Sequence, residues 1–495
     1  MSGTVARRIV FVGNCQTQAL SDLYARFIPD AVDQDIAYIP SHEALTAERI
    51  SVLSQADLVV EQRLDLQPPM DVAGIASSAK HMRVPLLSGM FLFPYAGSPH
   101  PHNPTPWFMA AGPFDAEMGD GFLNAQISRL VPADDAVAAY LALDIARVRH
   151  LDALAELVLD RQRARDMACG YRLADIIERH FRTESLFRTP HHPNLRLTLA
   201  LATQFFTQFG VGEAVIADMQ DNLLQTPFPK TELPIHPGVA RHFGLEWADA
   251  TTRYLIRHEG RQDFAGYAHA YMRGTWNAAL EEGIATLGRD APRAATLLAD
   301  GLARSPASAE GWYCYAEALR ISGRPNEAES ANRQAVELEP RDLRYCFGLG
   351  RSLLVLGRLD EAAALAASAL VIEPRDSDLL GFAAQLAMLR GDRDGALSSI
   401  ERAIARAPRN ADYRGIHGDL LLRAGRAADA VISFEAAVRF APHSGWMRYL
   451  LSRGLTFAGR LPEAIIAAKD ALVRTPDHAE IAAHLAELQA RLADA

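Results

Sequence analysis

No block of lysine or arginine stands out in this chain, and acidic side chains outnumber basic ones, 60 to 50, for a formal charge of −10. A polyanion would find little attraction there, so nucleic acid is not an expected partner. Long hydrophobic runs are missing too: no stretch approaches the roughly 20 apolar residues that span a bilayer. The apolar run behind Arg7 and Arg8, Ile9 to Val12, is too short for a signal-peptide core. A cytoplasmic chain without a transmembrane segment is the expectation. Cysteine is scarce, with only Cys15, Cys169, Cys314 and Cys346, and these show neither CxxC pairing nor histidine at metal-ligand spacing. Neither a disulfide framework nor a metal site is indicated. What remains is an ordinary folded composition, 49% hydrophobic and 22% charged, over 495 residues, which calls for two or three domains.

The carboxyl half has a period. Pro306, Pro340, Pro374, Pro408, Pro442 and Pro476 recur every 34 residues, as do Gly323, Gly357, Gly391, Gly425 and Gly459. Ala328, Ala362, Ala396, Ala430 and Ala464 follow each glycine at one fixed offset, and Ala335, Ala369, Ala403, Ala437 and Ala471 at another. Such alanines let two helices approach closely, the glycine ends the first helix, and the proline starts the turn to the next unit. This pattern, best seen in "GWYCYAEALRISGRPNEAESANRQAVELEP" (311–340), resembles the tetratricopeptide repeat. The resemblance implies an all-α solenoid over 275–495, about six repeats beginning near Trp276 and closed by a capping helix in "DHAEIAAHLAELQARLADA". Its concave face would hold a protein or peptide; a spacer or dimerisation arm is the plainer role.

Residues 1–262 lack this period and alternate short apolar runs with helical stretches. "RRIVFVG", "QDIAYIP", "ADLVVEQ" and the start of "RVPLLSGMFLF" read as strands, with "TQALSDLYARFI" and "TAERISVLSQ" as helices between them. That alternation predicts an α/β domain built on a parallel sheet. Beyond about residue 120 the pattern turns helical, with "DAVAAYLALDIARVRHLDALAELVLDRQRARD" as one long amphipathic stretch and 263–274 as a helical junction to the repeats.

Ligands of open parallel sheets collect beyond the carboxyl ends of the strands, and Gly13, Asn14, Cys15 and Gln16 stand where the first strand becomes a helix. The helix N-terminus offers N–H groups to an oxyanion or phosphate and favours a thiolate at Cys15. A tight turn with a buried thiol is the plainer reading of the same residues.

"VGNCQTQAL" (12–20), "LVVEQRL" (58–64), "VPLLSGMFLFPYAGSPHPHN" (84–103) and "DIIERHFRTESLFRTPHHPN" (175–194) follow one another as in the WcbI family of capsular polysaccharide biosynthesis enzymes, which the first half of the chain resembles over about 1–240. The resemblance implies an SGNH-like fold that binds coenzyme A and transfers an acetyl or other acyl group from acetyl-CoA to a sugar of a surface polysaccharide, with no metal. Beside SGNH hydrolases, Cys15 takes the position of the nucleophilic serine and His192, or its neighbour His191, that of the base. Thr189 stands where those hydrolases carry an aspartate. The resemblance leaves two mechanisms open: a covalent relay through Cys15, or direct attack of a hydroxyl deprotonated by His192. In the second, the Cys15 N–H and the Asn14 and Gln16 amides stabilise the oxyanion.

Gln62, His191 and Asn194 join Gly13, Asn14 and Gln16 as candidate substrate-binding residues, and Arg63 and Arg188 as candidates for the coenzyme A phosphates. An edge-of-strand amide is the plain alternative for Gln62, and exposed surface for the arginines, as for Lys80 and Arg83. His100, His102 and Asn103 sit among prolines in a loop that would either close over a ligand or lie in solvent. His236-Pro237 repeats the His-Pro pair and shows that the dipeptide alone proves little. An SGNH-like esterase and a catalytically silent ligand-binding domain on a repeat scaffold are the alternative functions.

Overall fold

A computed structural model describes residues 8–28, 31, 34–63, 71–103, 114, 118–223, 225–228, 231–274 and 277–493. Trp276, the expected start of the repeats, lies outside them. The chain divides into two compact units, Met1–Cys314 and Tyr315–Ala495.

The first unit opens with β1 (Arg8–Gly13), α1 (Cys15–Phe27), β2 (Asp35–Pro40), α2 (Ala47–Ser54), β3 (Leu58–Arg63), α3 (Val72–Ile75) and β4 (Lys80–Pro85). The four strands form a parallel sheet in the order β2-β1-β3-β4. Both faces of β1 are covered, as a parallel sheet requires. Ile9 and Phe11 belong to a core that includes Leu20 and Tyr24 of α1. Val10 and Val12 pack on the opposite face with Leu53 of α2 and Val72 of α3. The fourth strand differs from expectation. It starts earlier, at Lys80, and stops at Pro85, which has no N–H for a further ladder bond, so "LLSGMFLF" leaves the sheet and includes a short 3-10 turn at Met90–Leu92.

Next come α4 (Gly121–Ser128), α5 (Ala133–Leu141), α6 (Ile145–Val148), α7 (Leu151–Cys169) and α8 (Ala174–His180), then β5 (Phe187–Thr189) and β6 (His192–Pro193), which form a small antiparallel pair. The long amphipathic stretch thus forms three helices, α5, α6 and α7. Asp144 caps α6 by accepting from the Arg147 N–H at 3.3 Å, and His150, with φ of 49°, breaks the helical path before α7. The unit continues through α9 (Leu195–Phe209), α10 (Glu213–Asn222), α11 (Pro237–Phe243), β7 (Tyr254–Ile256), β8 (Gly260–Gln262), α12 (Phe264–Arg273), α13 (Ala278–Thr286) and α14 (Ala291–Arg304).

Residues 263–274 are helical, but α12 is part of the first unit's core: Phe264, Tyr267 and Tyr271 are buried in the same cluster as the sheet. Asp120 gathers this region. It accepts from the Tyr140 hydroxyl at 2.7 Å and from the Leu123 N–H at 2.9 Å, while its own N–H donates to the Tyr271 hydroxyl at 2.9 Å. Burial pushes the Asp120 carboxyl up to about 6, against the hydrogen bonds that favour its charge.

Helix α15 (Ala309–Ile321) crosses from one unit to the other. The second unit then consists of helices alone, α16 (Pro325–Leu338), α17 (Leu343–Val355), α18 (Leu359–Ile372), α19 (Ser377–Leu389), α20 (Arg393–Arg406), α21 (Ala411–Arg423), α22 (Ala427–Phe440), α23 (Gly445–Phe457), α24 (Leu461–Arg474) and α25 (Ala479–Ala493). The residues that carried the period do what their chemistry suggests. Gly323, Gly357, Gly391, Gly425 and Gly459 all have φ between 74° and 80°, the left-handed conformation that ends a helix. Ala328, Ala362, Ala396, Ala430 and Ala464 are 0% exposed, so any larger side chain would part the helices they join. No helix among the described residues is long and apolar enough to cross a membrane.

The end of α4 places a residue other than glycine in the left-handed conformation. After α4, the Leu130 N–H donates to the Ile127 carbonyl at 3.0 Å and the Val131 N–H to the Gln126 carbonyl at 3.1 Å, a Schellman closure. Leu130 holds the left-handed position with φ of 56°, and its side chain is 89% exposed. Leu130→Gly should therefore stabilise the protein by about 0.5–1 kcal/mol, seen as a higher midpoint of urea unfolding. A lower midpoint would mean that the leucine side chain makes a contribution its exposure does not show.

Candidate functional site

Strand β1 lies between β2 and β3, so the strand order reverses beside it, and in open parallel sheets ligands bind beyond the carboxyl ends at such a reversal. Gly13 ends the strand. A Cβ there would stand 2.2 Å from Thr17 Oγ1 and 2.7 Å from Gln62 Cβ, which leaves room for glycine alone. Two groups from β2 and its following loop grip the Gly13 carbonyl: the Ser41 N–H at 2.8 Å and the Tyr38 hydroxyl at 3.1 Å. Tyr38 is held protonated, its hydroxyl pushed up to about 12 by burial first and then by the neighbouring Cys15 and Glu43. From the other side, Gln62 Oε1 at the end of β3 accepts from the Asn14 N–H at 3.0 Å.

Asn14 caps α1, accepting from the Gln16 N–H at 2.9 Å through Oδ1. Cys15 is thereby the first residue of the helix, with a half-buried thiol in the field of the helix N-terminus. Gln16 turns inward and is 1% exposed. Its Nε2 donates to the Leu87 carbonyl at 2.8 Å and to the His191 carbonyl at 2.7 Å. Its Oε1 accepts from the Leu87 N–H at 2.9 Å and from Gln62 Nε2 at 3.2 Å. Both donors and both acceptor positions of the amide are thus used within the protein. Gln16 holds the site together instead of presenting an amide to a ligand, and Gln62 shares that task. This departs from the substrate-binding role expected for both. The amide of Asn14 is engaged through Oδ1 in the cap.

The bond from Gln16 to His191 brings the β5–β6 pair to the helix start, and the Gly89 N–H supports it by donating to the Pro190 carbonyl at 2.8 Å. His192 faces Thr189 across this pair, with Thr189 Oγ1 3.0 Å from Nδ1 of the ring. The ring is stacked on Phe228, centroids 5.5 Å apart. Asn194 follows as the cap of α9, and its Nδ2 donates to the Ser185 carbonyl at 2.9 Å. Its amide is occupied in shaping the turn, a correction to its expected contact with substrate.

Other candidates are placed elsewhere. Arg188 lies between Phe187 and Thr189 on β5; burial lowers its pKa, while Glu232 raises it and Arg261 lowers it further. Arg63 ends β3, and its side chain lies outside the described residues. His100 neither closes over a ligand nor lies in solvent. It is 2% exposed, its Nε2 is 2.9 Å from the Tyr271 carbonyl, and its Nδ1 accepts from the His102 N–H at 3.1 Å. Asn103 donates to the Phe114 carbonyl at 2.8 Å. His236 is buried as the cap of α11, accepting from the Gly238 N–H at 2.9 Å, so the second His-Pro is a structural helix start. Sequence reasoning missed Tyr38. The signal was available, since a residue near the end of a strand next to β1 must reach the same end of the sheet.

Residues 8–214 match the family model of the polysaccharide biosynthesis enzyme WcbI, and residues 322–378 and 383–445 match the tetratricopeptide repeat. No curated protein matches the chain. Among solved structures it is similar to WcbI, a novel polysaccharide biosynthesis enzyme, in native form without a disulfide bond between coenzyme A and a cysteine. That match has 15% identity over 67% of this chain and 99% of that one, with a TM-score of 0.43. A thermophilic tetratricopeptide-repeat protein of Thermus thermophilus shares 21% identity over 37% of this chain and 99% of its own, TM-score 0.34. The APC/C hetero-tetramer Cut9-Hcn1 shares 16% identity over 42% of each chain, TM-score 0.39, so the match spans less than half of that protein. At such TM-scores the likenesses carry no functional weight.

The four bonds of Gln16 make a direct prediction. Gln16→Leu, similar in size, would remove the bonds to the Leu87 N–H and carbonyl and to the His191 carbonyl and should cost about 3 kcal/mol or more. Urea unfolding checks it: the midpoint falls, and an unchanged midpoint would contradict the clamp.

Proposed function

We propose, from the premise that the chain joins a WcbI-type polysaccharide biosynthesis domain to tetratricopeptide repeats, that the first unit is a coenzyme A-dependent acyltransferase acting on a sugar hydroxyl in surface polysaccharide assembly. The observation that carries this reading is the convergence of Cys15, at the start of α1, with the His191–His192 segment through the Gln16 amide. A thioester carbonyl placed at the helix start would meet the Cys15 N–H and the Asn14 Nδ2 as its oxygen becomes negative. His192 would take the proton of the attacking hydroxyl. Direct transfer of this kind asks nothing of the thiol as a nucleophile, whereas exchange of the acyl group onto Cys15 would add a nearly thermoneutral step. The repeats would hold a protein or peptide partner on their concave face and so bring the acyltransferase to its polysaccharide-building assembly.

Calorimetric titration of the full chain with coenzyme A tests the reading, followed by transfer assays from acetyl-CoA to candidate acceptor sugars. The full chain is needed because α12 belongs to the first unit's core. Micromolar binding is expected, with transfer retained in Cys15→Ala and reduced about 100-fold or more in His192→Ala. Absence of coenzyme A binding would overturn the proposal, and binding without transfer to any sugar would leave a silent ligand-binding domain on a repeat scaffold.

A further inference from the structure

We propose that Thr189 is the positioning residue of His192: its hydroxyl, in contact with the ring at Nδ1, accepts from Nδ1–H and leaves Nε2 as the basic nitrogen. The contact is 3.0 Å long and follows from the backbone. In the β5–β6 pair Phe187 stands opposite Pro193 and Thr189 opposite His192, with a shift of register between Phe187 and Thr189, so that the threonine and the imidazole are directly paired across the strands. Thr189 is 2% exposed, which shields the contact from competing solvent. Phe228 supports the face of the ring, its plane inclined by 28° to the imidazole. The strand that carries the histidine cannot slide, because Gln16 Nε2 holds the His191 carbonyl at 2.7 Å. Face, edge and backbone of His192 are therefore each fixed by a different element.

A neutral imidazole has one N–H and one lone pair, and which nitrogen carries which is set by the partner of the other. A hydroxyl that accepts from Nδ1–H leaves the lone pair at Nε2. Being uncharged, a hydroxyl in that accepting role favours this tautomer without the added stabilisation that a carboxylate would give the imidazolium. Such a base receives a proton and releases it within one turnover. On the acyl-transfer reading, on which this inference rests, the acceptor's hydroxyl proton moves to Nε2 as its oxygen bonds to the acyl carbon. The carbon–sulfur bond then breaks with its electron pair on the coenzyme A sulfur, and the proton passes from Nε2 to that sulfur. An ester and a thiol result, and His192 returns to its starting state.

The test uses the full chain labelled with 15N-histidine, the His192 signals being assigned with His192→Gln, and compares wild type with Thr189→Ser and Thr189→Val at a pH where the ring is neutral. Wild type and Thr189→Ser are expected to show the Nδ1–H tautomer and Thr189→Val a shift toward Nε2–H. In parallel, kcat should fall about 10-fold to 100-fold in Thr189→Val with KM for the acyl donor unchanged, and Thr189→Ser should recover it. Identical tautomer patterns in wild type and Thr189→Val would overturn the proposal. A tautomer shift in a protein that binds no coenzyme A would instead uphold the pairing and remove the acyl-transfer reading.

Discussion

The side-chain amide of Gln16 joins three pieces of the first unit that are far apart along the chain: the start of α1, the loop after β4 at Leu87, and the β5–β6 pair at His191. A buried amide with four partners is stiff, because losing any one leaves a polar group unpaired in a low-dielectric interior. Cys15 precedes the residue that bears this amide and His192 follows one that it grips, so both lie in one frame. Gln62 extends the frame to β3 through the Asn14 N–H, and Tyr38 extends it to β2 through the Gly13 carbonyl. The three strand ends nearest the crevice thus all bear on residues 13–16.

The second unit solves a different problem with one device used repeatedly. A left-handed glycine closes a helix, and a fully buried alanine lets the next helix lie close against it. Charges follow the period as well. Arg351 pairs with Glu317 at 3.5 Å and Arg453 with Asp419 at 3.3 Å, each joining equivalent positions on successive repeats. Exposed apolar side chains recur at another equivalent position, in Ile321, Val355, Leu389 and Phe457. Each repeat thus leans on its neighbours and cannot bury its helices alone.

Features set by local chemistry were legible in the sequence. Apolar runs located β1, β2 and β3, the 34-residue period located the repeat helices, and a strand running into a helix at Gly13–Cys15 marked the crevice. Features set by long-range contact were not. The bonds of Gln16 join residues 71 and 175 positions apart, and no spacing rule distinguishes an amide that binds a ligand from one that binds the backbone. His100 and Asn103 read as loop residues because prolines surround them, yet the chain folds them against Tyr271 and Phe114. The long amphipathic stretch before residue 166 kept its periodicity across two breaks because Asp144 and His150 are compatible with a helix until their backbone conformations are known. Thr189 marks where the resemblance to SGNH hydrolases departs from a charged triad, and in the fold it still meets the imidazole at 3.0 Å.

On the proposed acyl-transfer reading, coenzyme A would lie at the carboxyl end of β1 against the start of α1, beside Cys15. The rate of Cys15 alkylation by iodoacetamide in the full chain, followed by peptide mass spectrometry with and without coenzyme A, tests this most directly. Cys169 is an internal control, half-buried like Cys15 but at the end of α7. Slower alkylation of Cys15 in the presence of coenzyme A, with Cys169 unchanged, is the predicted result. Equal rates at Cys15 with and without saturating coenzyme A would contradict the account.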